Sequence, residues 1–172
     1  MRARLPLGGL LVRAVILIAP LAAILSGVPQ GYRPPLWLVA AVGILGFAAA
    51  AAPDHYVGSA ALILVVAWWV TAIGSALPLS SVAAAGALLA SHVAATVAAY
   101  GPRYLSPDRG IALLWVRRGV ALWAASALTW VVVVAGSGRA TSTAYWVAGL
   151  VVVLALVVFA TMVFPAPGDR RM

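Results

Sequence analysis

The sequence predicts an all-α fold, a polytopic bundle of membrane-spanning helices. Three observations predict it. Hydrophobic residues make up 65% of the 172 residues and charged residues 8%. Long apolar runs alternate with short connectors rich in Pro and Gly. The few charges cluster near the ends of those runs. A mean hydropathy of +1.11 fits a chain dissolved in lipid, since each helix needs roughly 20 apolar residues to cross about 30 Å of hydrocarbon.

Six spans follow in order, in one transmembrane domain covering residues 1–172. The first runs from Leu7 to Val28. Met1-Arg2-Ala3-Arg4 ahead of it resembles the start of a signal peptide. Arg13 inside the run, Pro20 in its middle and its overall length argue against cleavage. Val28-Pro29-Gln30-Gly31 ends it, and Pro34-Pro35 precede the second span, 36–52. Pro53-Asp54 is a turn start, and the third span covers 59–77. The break at Leu77-Pro78-Leu79 is short, and Ser80 or Ser81 can cap the fourth span, 80–100. Spans two and three are short or Gly-rich and suit a locally thinned bilayer.

A longer connector, 101–117, follows. Ser106-Pro107-Asp108 reads as the start of a helix: Ser caps, Pro fits the first turn, Asp favours the positive end. Nothing breaks a helix from Pro107 to Ala135. At 1.5 Å per residue that is roughly 43 Å, longer than the membrane core. The fifth span proper is 118–135, and its first turns lie in or below the headgroups. Gly136-Ser137-Gly138 leads to the sixth span, 144–164. The chain shows no internal repeat, which weakens an inverted-repeat transporter.

Arginine sets the orientation. With the N-terminus inside, Arg2, Arg4, Arg13, Arg103, Arg109, Arg117, Arg118, Arg170 and Arg171 are cytoplasmic, and only Arg33 and Arg139 are outside. Such asymmetry obeys the positive-inside rule, and six spans return both termini to the basic side. Arg without Lys, with abundant Ala, Val, Gly and Pro, suits a GC-rich bacterial genome, hence a multi-pass protein of the cell (inner) membrane. Arg103, Arg109, Arg117 and Arg118 are candidate contacts for anionic headgroups or a cytoplasmic partner. Trp115 beside them fits a headgroup anchor, and Trp37 and Trp146 fit the outer belt. Scattered singly or in pairs, the arginines form no basic face for nucleic acid.

Few residues can carry chemistry. The chain has no Cys, Lys, Glu or Asn, and its three Asp (Asp54, Asp108, Asp169) lie outside the spans. Paired carboxylates, thiolate nucleophiles and phosphate-cradling Gly-rich loops are therefore excluded, and no cofactor or metal is expected. Asp54-His55 reads as turn chemistry. His92 is the one deep ionisable residue that cannot snorkel, which makes it a functional candidate. One His without carboxylate or Cys cannot build a metal site. Its span is rich in Ala and Gly, which admit close neighbours. That span is expected to be the most enclosed, with Ala90→Leu and Ala94→Leu both overpacking it. Thr96, Ser126, Thr129 and Thr71 complete a candidate intramembrane polar cluster with His92. The bland reading is a neutral His tying helices together. Arg13 is expected to snorkel. The mid-span Trp68 and Trp69, and Trp123 with Trp130, are expected to fill helix interfaces.

By subtraction, the expected role is non-catalytic: an accessory or structural subunit packing against another protein or a second copy of itself. The alternative is a small transporter, or a membrane-embedded substrate-binding subunit of one. A ligand-sized cavity touching His92 favours the alternative. A solid centre with a flat small-residue face favours the subunit.

Overall fold

The computed structural model describes residues 7–52, 56–73, 78–99 and 109–136. These residues are 90% helical, with no strand among them. Five helices follow in order: α1 (Leu7–Leu25), α2 (Leu36–Ala51), α3 (Val57–Ile73), α4 (Ser80–Ala99) and α5 (Arg109–Gly136). Three of the helical segments, those beginning at Leu7, Ser80 and Gly110, are long and apolar enough to cross a membrane; α2 and α3 are shorter apolar helices. The expected sixth span, 144–164, lies outside the described residues.

The chain divides into two units, Met1–Gly119 and Val120–Met172. In the first, α1 to α4 run up and down as a four-helix bundle. At one end Arg13 meets Ala50, and Ile16, Ala49 and Ala94 form a small core. At the other end Ala23, Ile24, Leu38, Val42, Val65, Trp69 and Ala84 form a larger one. The ends of consecutive helices alternate between these two clusters, which fixes the antiparallel order.

Within the first unit the central helix is α1, where the small residues of span four had suggested α4. The two helices bury five residues each, so burial alone does not separate them. The distinction is topological. α1 packs on α4, α2 and α3, whereas α4 packs broadly on α1 and only slightly on α3. The small residues of α4 therefore serve two sides, one against α1 and one facing an open space. Ala94 is buried and Ala90 is exposed. Ala94→Leu is thus expected to destabilise by about 1–3 kcal/mol through overpacking, while Ala90→Leu is nearly silent. Equal shifts of the two variants in detergent unfolding would contradict this packing.

The link from α1 to α2 folds back on the bundle. A short 3-10 turn, Val28–Gln30, closes with Gly31 at φ 91°, a left-handed conformation that Gly adopts without strain. Tyr32 then packs on Trp69, ring centres 6.4 Å apart. Gly27 is needed there for space: a Cβ would stand 3.0 Å from Tyr32 Cβ and 3.3 Å from the Trp69 ring.

α5 is helical from Arg109, so residues 109–117 of the connector continue into the fifth span as one helix, as expected. The absence of any breaker after Pro107 accounts for this. Its 28 residues extend roughly 42 Å at 1.5 Å per residue, more than the bilayer core. Only 6% of its membrane-length window is buried.

Candidate functional site

Helix ends and prolines leave backbone carbonyls without partners, and in lipid no water is at hand to satisfy them. The polar side chains of the bundle meet that need first. Pro20 sits buried inside α1 and has no N–H, so the Ile16 carbonyl four residues back loses its helical partner. Ser91 of α4 donates its hydroxyl to that carbonyl at 3.4 Å and is itself buried. At the end of α1, the Ala23 carbonyl accepts from Trp69 Nε1 at 3.1 Å and from Ser26 Oγ at 2.8 Å. Arg13, expected to snorkel, meets the same need. Its guanidinium donates at 2.6 Å to the carbonyl of Ala50, in the last turn of α2, where the helix dipole also favours a cation.

The Gln30 end carries a second tie. The Ser80 hydroxyl donates to the Gln30 side-chain oxygen. Ser80 therefore joins the first loop to α4 instead of capping its helix through its side chain, and Ser81 donates to the Pro78 carbonyl at 2.7 Å.

The candidate cluster is placed as follows. Thr96 Oγ1 donates to the His92 carbonyl at 2.8 Å, a contact with its backbone and not its ring. Thr71 lies toward the other end of α3 and donates to Ala67 and Trp68 carbonyls. Ser126 and Thr129 belong to the second unit, where they donate to Leu122 and Ala125 carbonyls. The structure thus brings His92 and Thr96 together on one helix, and each of the four hydroxyls bonds within its own helix. Among the headgroup candidates, Arg118 lies 5.5 Å from the centre of the Trp115 ring, a cation–π contact. Arg117 is exposed, Arg109 opens α5, and Arg103 lies outside the described residues.

His92 itself is exposed, and no hydrogen bond joins its ring to another described residue. It lines a cleft of about 360 Å³ on the Arg13 half of the bundle. Ile16 and Pro20 of α1 and Gly46 and Ala49 of α2 form its floor. Gly58, Ser59 and Leu62 of α3 face Ser91, His92, Ala95 and Thr96 of α4 across it. The cleft exists because α3 and α4 scarcely touch, and because small residues line both walls. The Trp69 core closes the other half.

Sequence reasoning missed Ser59 and Ser91. Ser91 was findable: a proline inside a span announces a freed carbonyl four residues earlier, and a Ser at matching depth on a small-residue helix is a natural donor. No signal marked Ser59.

No family model matches the chain, and neither a curated protein nor a solved structure matches it.

Proposed function

We propose that this chain is a six-span protein of a bacterial inner membrane, with both termini cytoplasmic, acting as a non-catalytic accessory subunit. One observation carries the reading. In the described bundle the hydroxyls of Ser26, Ser80, Ser91 and Thr96, the Trp69 N–H and the Arg13 guanidinium are all engaged in ties to carbonyls. All but Thr96, which bonds within α4, join separate segments of the bundle, and none is poised for reaction. α5, with its long apolar and exposed flank, is the surface for lipid or a protein partner, and Trp115, Arg117 and Arg118 suit the anionic headgroup layer.

Two measurements test it. Topology reporters fused after Arg33 and after Gly138 are expected to read outside; a cytoplasmic signal after Gly138 would end the six-span reading. Photo-crosslinkers at Leu128 and Val132, both exposed on α5, are expected to give one discrete protein adduct in native membranes. Adducts with lipid alone at both positions would remove the subunit role.

A second reading has a specific observation behind it: the ligand-sized cleft touches His92. This favours a membrane-embedded substrate-binding subunit of a transporter. His92→Gln separates the two. A His92 without a role in function predicts a folded, inserted variant with unchanged crosslinking and unchanged function. Loss of function in a variant that stays folded and inserted would move the assignment to the second reading.

A further inference from the structure

We propose that the cleft at His92 binds an uncharged lipid whose head carries ester or ketone oxygens, a monoacylglycerol being the simplest representative. This deepens the second reading and rests on it. The head sits between His92 and Ser59, and the acyl chain leaves between α3 and α4 into the bilayer.

The chemistry of the walls selects this ligand. None of the described residues that line the cleft is Asp, Glu, Lys or Arg. An ionised head would lose its water and meet no carboxylate, ammonium or guanidinium among those residues. Arg13, the nearest basic residue on α1, is held at the Ala50 carbonyl. The occupant is therefore neutral.

The donors are equally selective. Ser91 and Thr96 already give their hydroxyl protons to carbonyls, so toward the cleft they offer acceptor capacity alone. Ser59 is exposed, in the first turn of α3, and no hydrogen bond joins its side chain to another described residue. His92 is in the same position on the opposite wall. An imidazole and a hydroxyl each keep a donor. Two unengaged donors across an apolar slot suit a head with carbonyl oxygens.

Shape supplies the third restriction. The volume of about 360 Å³ lies at the small end of the ~300–1,000 Å³ typical of ligand sites. It holds a compact head and the beginning of a chain, not a whole lipid. The weak contact between α3 and α4 leaves the side passage that the rest of the chain needs. The Trp69 core blocks the way toward the Gln30 end, so the ligand enters and leaves on one side.

The test uses the full-length protein in nanodiscs of neutral phosphatidylcholine. The probe is a monoacylglycerol with a diazirine near the ester. Labelling is expected on α3 and α4 peptides around Ser59 and His92, displaced by unlabelled monoacylglycerol. His92→Phe with Ser59→Ala is expected to lower it at least ~10-fold. Ala95→Leu, which fills the slot and leaves both donors in place, is expected to do the same. Unchanged Trp fluorescence and melting temperature identify variants that remain folded. Labelling spread over all exposed helix faces, or insensitive to these substitutions, would overturn the proposal as ordinary lipid contact. Stronger cleft labelling by an ionised diazirine fatty acid would also overturn it, while leaving a binding subunit standing. No labelling in the cleft by either probe would overturn the proposal and the second reading together.

Discussion

Trp69→Ala is expected to cost about 3–5 kcal/mol, the range for removing a large aromatic from a core. Trp69 is 8% exposed and lies at the centre of the larger cluster, in contact with both α1 and the first loop. Three losses coincide. The indole leaves a cavity among Ala23, Ile24 and Val65. The Ala23 carbonyl loses the Nε1 donor and keeps only Ser26. Tyr32 loses the ring it packs on. Trp69→Phe separates these terms, since it retains most of the packing and deletes the hydrogen bond. Its cost should stay near ~0.6–1.7 kcal/mol, the range measured for side-chain bonds between helices in lipid. Unfolding in mixed micelles reports both. A Trp69→Ala variant as stable as Trp69→Phe would show that the indole does not hold this end together.

The second large effect comes from comparing two isoleucines on one helix. Ile24 is 0% exposed and Ile16 is 1% exposed, so burial alone predicts equal costs. Their surroundings differ. Ile24 is enclosed by the larger cluster, while Ile16 lies in the smaller one and borders the cleft. The cost of a deletion depends on how far the site can collapse or be filled. Ile24→Ala is expected near the upper part of the ~2–5 kcal/mol range for such truncations, and Ile16→Ala near the lower part. Equal costs would mean that the cleft half is packed as firmly as the Trp69 half.

Much of the fold is legible in the sequence because hydropathy and breakers report it directly. Pro34-Pro35 and Leu77-Pro78 place the starts of α2 and α4 where the structure has them. The unbroken run after Pro107 announces that α5 is longer than its membrane span. Which helix is central was not legible. Small residues show where a close approach is allowed, not which neighbour makes it, and α4 spends part of its Ala surface on the cleft. The acceptor of Arg13 was not legible, because a sequence displays charges but not orphan carbonyls. The relation of Ser59 to His92 depends on how α3 and α4 diverge, which no spacing within either helix encodes.

Two of the ties described above join α1 to helices that emerge later from the ribosome. The guanidinium of Arg13 has its acceptor on α2, and the carbonyl released by Pro20 has its donor on α4. α1 is therefore made chemically incomplete, carrying a cation and a bare carbonyl whose partners lie on helices not yet synthesised. The first need is met when α2 arrives, the second only after α4 has been made. Biogenesis is thereby drawn toward a stepwise closure, in which the first helix to insert is the last to be fully satisfied.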